Sequence, residues 1–124
     1  HPIMAAFGPS WQTKAGELYW ITQLWPTARA LGQAKNQETG ADETCIWTNE
    51  YGDCRVFGTT IGHHNEEMAD PVFLDYVTRG ILWACDKPAE AYLKPFDPAK
   101  TKFAWESPAA TGGPQPTLAP PQPK

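Results

Sequence analysis

Apolar and polar positions along this chain follow two different periods, and both patterns stop near residue 87. The first is the β period. The runs Thr44-Cys45-Ile46-Trp47-Thr48 and Arg55-Val56-Phe57-Gly58-Thr59-Thr60-Ile61, rich in β-branched and aromatic residues, flank the turn-forming cluster Asn49-Glu50-Tyr51-Gly52-Asp53-Cys54. That arrangement predicts a β-hairpin. Glu17-Leu18-Tyr19-Trp20-Ile21 reads as a further strand and residues 28–35 as a weaker extended segment, with a polar loop over 36–43. The second period is helical. Asp70 offers a side-chain cap to free N–H groups, and Pro71 suits the first helical position, where a missing N–H costs nothing. Phe73, Leu74, Val77, Ile81 and Ala84 then recur on one predicted apolar face. Asp75 and Arg79 form an expected exposed i,i+4 pair worth a few tenths of a kcal/mol. Gly80 costs about 1 kcal/mol relative to Ala in an exposed helix, so close packing on a sheet is its expected compensation. A helix on a sheet is the architecture these parts imply.

Residues 1–16 read as an irregular lead-in punctuated by Pro2, Gly8, Pro9 and Gly16. Beyond Pro88, Tyr92, Leu93, Phe96, Phe103 and Trp105 are spaced anchors in an extended packing segment over 87–106. Residues 107–124 carry six prolines and Gly112-Gly113, and Leu118 is their one sizeable apolar side chain, which predicts a mobile, polyproline-like tail.

Composition narrows the function classes. With 41% apolar residues and six tryptophans, the chain is globular in character. Its net charge of −4, with scattered Lys and Arg, argues against nucleic-acid binding. No apolar run approaches the roughly 18 residues that span a bilayer. Cys45, Cys54 and Cys85 lack CxxC spacing, which excludes a zinc ribbon or haem attachment. One disulfide plus a free thiol, or three buried thiols, both fit. With the turn centred near Tyr51-Gly52, Cys45 faces residues near Gly58, so a Cys45–Cys54 bridge is not expected.

One segment concentrates titratable groups: Gly62-His63-His64-Asn65-Glu66-Glu67, between a predicted strand and a predicted helix. Open α/β sheets place ligands in such loops. Two imidazoles beside two carboxylates supply a general base with an orienting acid, or part of a metal site. A solvated polar loop with carboxylates at a helix N-terminus fits the same residues. Trp11, Trp25 and Trp105 are candidate sugar-stacking platforms, while Trp47 and Trp83 fall in elements expected to form the core. His1 alone suggests a copper-binding amino-terminal brace, as in lytic polysaccharide monooxygenases.

The run from Trp47 to His63, with Tyr51-Gly52-Asp53-Cys54-Arg55-Val56-Phe57 and Ile61-Gly62-His63, resembles the strand–"YGxGRVF"–strand–"LGH" segment of the ThuA-like (trehalose-utilisation) family. Asp70-Pro71 followed by Arg79-Gly80-Ile81-Leu82-Trp83-Ala84 is similar to that family's "DP…RGILWA" helix, and His1-Pro2-Ile3 with Glu17-Leu18-Tyr19 to its "HPI … ELY" stretch. The resemblance spans about residues 1–86 and accounts for His1 as an interior family position. It implies the C-terminal portion of a partial flavodoxin-like, class I glutamine amidotransferase-like three-layer α/β fold, whose remaining half, in cis or in trans, is not among these residues. It also implies an association with sugar utilisation and a possible carbohydrate ligand. In the amidotransferase relatives a His-x-Glu serves a nucleophilic Cys. His64-Asn65-Glu66 has that spacing, and His63 matches the family's "GH". The resemblance therefore implies His63, His64 and Glu66 as site residues, with no cofactor or metal. Cys54 stands where the family usually has Gly, and Cys85 ends a helix, so neither is a replacement nucleophile. The second expectation is a non-catalytic assembly subunit that associates through exposed sheet edges and its tail. The Pro/Thr-rich tail also leans towards an exported protein.

Overall fold

A computed structural model describes residues 1–13 and 17–93. The predicted packing of Phe96, Phe103 and Trp105 and the character of the 107–124 tail lie outside the described residues. After a 3-10 turn at Pro2–Met4 come three strands, β1 (Arg29–Lys35), β2 (Asp42–Tyr51) and β3 (Cys54–Thr59). Three helices follow, α1 (Asn65–Met68), α2 (Pro71–Ala84) and α3 (Ala89–Tyr92). The strands form one antiparallel sheet in the order β1-β2-β3, giving a mixed α/β architecture.

The hairpin forms where the sequence predicts it. Tyr51 pairs with Cys54 around Gly52, which has φ +57, a conformation open to a residue without a Cβ. The register places Trp47 opposite Gly58, and the Thr60 N–H donates to the Cys45 carbonyl at 3.0 Å. Cys45 is thus two residues away from its expected partner, because the turn centres on Gly52-Asp53 instead of Tyr51-Gly52. The polar loop shortens to the residues between β1 and β2. There the Asn36 side-chain oxygen accepts from the Glu38 and Thr39 N–H groups at 2.9 and 3.2 Å.

Residues 17–21 are not a strand: they make no ladder, despite a β-rich composition. Strand propensity expresses a fit to a neighbouring strand, and this segment lies against the loop after β3 instead.

Helix α2 begins as its sequence dictates. The Asp70 carboxylate accepts from the Val72 N–H at 2.8 Å, and Pro71 occupies the first turn. Its buried face differs in part from the predicted one. Phe73, Tyr76 and Gly80 are buried, whereas Leu74 and Ile81 are exposed. Gly80 explains the shift, because a Cβ there would stand 2.4 Å from the Phe57 ring of β3. Helix and sheet therefore meet along Tyr76 and Gly80. Arg79 is also less exposed than its pairing suggested, at 14% for the side chain. It bonds Asp75 at 3.1 Å and lies over the Phe7 ring.

The core gathers Cys45, Ile46, Phe73 and Tyr76, edged by Met4, Trp11, Leu18, Leu31 and Phe57. Of the three thiols, only Cys45 is buried; Cys54 and Cys85 are exposed, and none is bridged. At the far end of α2 the Arg55 guanidinium meets the Trp83 carbonyl at 3.2 Å and Asp86 at 2.6 Å. Trp83 also receives the His1 ring edge-on at 5.1 Å. One helical turn, α3, stands where extended backbone was expected. No helix among the described residues is long and apolar enough to cross a membrane.

Candidate functional site

The segment joining β3 to α1 turns sharply at Gly62, with φ +113, where a Cβ would meet the Phe73 ring at 2.8 Å. Only glycine allows the chain to pass over Phe73 in that conformation, and the turn presents His63. The Tyr19 hydroxyl lies 2.9 Å from His63 Nδ1 and donates to Glu17 Oε2 at 2.9 Å. His63 Nε2 stands 3.8 Å from the same carboxylate oxygen. The hydrogen bond to Glu17 pushes the Tyr19 phenol above its ordinary range, so it stays a proton donor. His64 packs edge-on against His63, with ring centroids 4.5 Å apart.

Behind the two imidazoles lies Glu67, only 3% exposed. Its Oε2 accepts the backbone N–H groups of His63 at 3.1 Å and His64 at 3.5 Å. A carboxylate removed from water requires such donors, and here they fix the His63-His64 backbone in return. Glu66, its neighbour in the single turn of α1, is exposed to solvent.

A cleft of about 570 Å³ opens beside this cluster, lined by Trp11, Leu18, Gln33, Cys45 and Tyr76 together with Glu17 and Glu67. Glu17 touches His63, and Glu67 holds the His63-His64 backbone, so the cluster and the cleft share two carboxylates. Burial pushes the Cys45 thiol up. It also drives the Tyr76 phenol up to about 12, against the lowering effect of its hydrogen bond with Thr59 and with small contributions from Cys45 and Glu67. Both groups are neutral near pH 7. Among the described residues, no three His, Cys, Asp or Glu side chains gather closely enough to hold a metal ion. His63, flanked by the Tyr19 hydroxyl oxygen and a carboxylate, has the surroundings of a general acid or base.

A family model for ThuA, described as trehalose utilisation, matches residues 1–84. The chain belongs to the ThuA family. No curated protein matches this ThuA domain, and neither does any solved structure. The sequence singled out His63, His64 and Glu66. The structure brings the two histidines together, with Glu66 at the surface beside them. It adds Glu17 and Tyr19, and also Glu67, which belongs to the titratable segment but not to the site residues the resemblance implied. Glu67 carried a signal, since it stands three residues after His64 at capping-box spacing. Glu17 and Tyr19 stand in the family-like "ELY" stretch, but nothing in the spacing tied them to His63, because their contact with it spans more than forty residues of chain. Of the suggested aromatic platforms, Trp11 lines the cleft and Trp25 is 70% exposed, while Trp105 lies outside the described residues.

Proposed function

We propose that this ThuA domain binds or processes a carbohydrate, with His63, His64 and Glu66 as its site and Tyr19 and Glu17 orienting His63. The observation that carries this reading is the Glu17–Tyr19–His63 cluster at the edge of a ligand-sized cleft. A proton on His63 Nδ1 satisfies the Tyr19 oxygen and leaves Nε2 as the acceptor for a substrate hydroxyl proton, the arrangement a general base requires. His64 and Glu66 stand beside it at the solvent edge, where a sugar arrives. The finer fold assignment belongs to the same proposal: the three-stranded sheet and α2 are the C-terminal portion of a flavodoxin-like, glutamine amidotransferase-like three-layer arrangement. The test is binding and turnover of trehalose, keto-sugars and other glycosides, compared between the wild type and His63→Ala. Unchanged affinity and activity in His63→Ala would sink the assignment.

A second reading is favoured by a separate observation. Among the described residues β1 and β3 are edge strands, and Trp20, Trp25, Tyr51 and Ile81 are each more than half exposed. Open edges and exposed aromatics favour association with another chain. Sedimentation velocity at micromolar concentration separates the two readings, since an assembly module sediments as an oligomer and a self-sufficient binding domain as a monomer.

A further inference from the structure

We infer that a second groove, between the amino-terminal segment, α2 and α3, is the seat of this chain's own segment after α3, with the Phe96 ring as its anchor. The groove has a volume of about 740 Å³, with Phe7 and Leu74 among its apolar walls and Asp75, Arg79 and Glu90 as its charged ones. Leu74 is an exposed apolar side chain on α2. Arg79 is held by Asp75 at 3.1 Å and lies 6.0 Å over the Phe7 ring, so this wall is fixed in place.

Three observations favour this occupant. The first is where the described residues end. Helix α3 packs on α2, Glu90 Oε1 stands 3.8 Å from the Arg79 guanidinium, and Leu93, three residues on, is itself a wall of the groove. The second is backbone conformation and reach. Leu93 has already left the helix, with φ −69 and ψ 127, and Pro95 restricts Lys94 to extended backbone. Phe96 then follows after about 10 Å of extended chain. The α2 residues that line the groove lie between Pro71 and Arg79, a helix length of about 12 Å, so the ring falls within it. The third is charge. The groove has two carboxylates and one guanidinium, and residues 94–102 have three lysines and one aspartate. Glu90 is well exposed, and ion pairs at such positions contribute little. The large apolar surface of Phe96 therefore supplies most of the attraction. A tethered segment also meets its site at an effective concentration of mM order, which a second copy or a separate protein has to match. Once seated, the segment covers Phe7 and ties the amino-terminal segment to α2.

The experiment uses the full 124-residue chain. Chymotryptic cleavage after Phe96 is followed by mass spectrometry, with the bond after Leu118 as internal reference, and NOEs from the Phe96 ring are recorded. Leu74→Asp alters the groove, and Ile81→Asp, nearer the far end of α2, is the control; both positions are exposed. Expected are NOEs between the Phe96 ring and the Leu74 methyls in the wild type. In Leu74→Asp, cleavage after Phe96 should be about tenfold faster, with the Leu118 bond and Ile81→Asp unchanged, because proteolysis tracks the undocked population. The NOEs carry the test if Leu74→Asp fails to fold. Wild-type cleavage after Phe96 as fast as after Leu118, without NOEs to Leu74, overturns the inference. So do NOEs that place the ring on another surface, and so does unchanged cleavage in a folded Leu74→Asp. Protection that grows with chain concentration, together with a sedimenting dimer, gives the groove to a second copy and overturns the intrachain seat.

Discussion

Gly80 and Gly58 each lie beneath an aromatic ring, Phe57 for the first and Trp47 for the second, and a Cβ at either would fall within 2.4 Å of ring carbons. Gly80→Ala gains about 1 kcal/mol of helix propensity, yet it forces α2 off β3. A net loss of about 1–3 kcal/mol is expected, read as a lower urea midpoint. Tyr76 gives a residue-scale prediction of another kind. Its folded-state pKa, about 12, lies above the ordinary 10.0, so burial favours the neutral phenol. The sign follows from linkage. That stability is complete below pH 10 and is lost as pH rises from 10 towards 12, where the unfolded chain has already released the proton. Because the residue also lines the cleft, the effect is discounted to about 1–2 kcal/mol. Tyr76→Phe should show a correspondingly smaller fall in stability between pH 9.5 and 11.5; an identical fall in both proteins would contradict the assignment. Cys45 should resist a thiol reagent in the native chain while Cys54 and Cys85 react, giving two fast labels and a third only in denaturant. The need to pack Gly80 closely was legible in the sequence, because a glycine inside a strong helix calls for a reason. The burial of Glu67 in preference to Glu66 was less so: adjacent carboxylates look alike until the single turn of α1 fixes which one faces inward.

At the scale of elements, legibility followed the range of the forces involved. The start of α2 depends on groups two residues apart, Asp70 and Val72, and was readable for that reason. Asp70→Ala should cost about 1 kcal/mol, measured as a loss of helical ellipticity and midpoint together, with Asp70→Asn nearly neutral. The hairpin was readable for the same reason, being closed by a tight turn at Gly52. Residues 17–21 were not. Their aromatic and branched side chains fit a pleated surface, but a strand also requires a partner. Here the polar ends of Glu17 and Tyr19 engage His63 instead. Periodicity likewise found α2 but misjudged its exposed edge. Leu74 and Ile81 match the apolar period as well as Tyr76 does, and only contact with Phe57 at Gly80 selects the face.

At the scale of the whole molecule, the described chain closes upon itself through its first residues. Ile3, 1% exposed, belongs to the 3-10 turn that packs on α2, and His1 reaches Trp83 near the end of that helix. The junctions of β1 with β2, β2 with β3 and β3 with α2 are closer in sequence than this one. The topology thus fixes an order of events. A meander whose strands pair in succession closes only short loops and forms quickly, and α2 can dock as soon as it follows. The amino terminus must wait for the far end of the helix, which makes its docking the last step of folding and its release the first step of unfolding. In kinetic terms Ile3 is a latch and lies outside the nucleus. Ile3→Ala should therefore accelerate unfolding by roughly tens of fold while leaving the refolding rate almost unchanged, a chevron shifted on one limb.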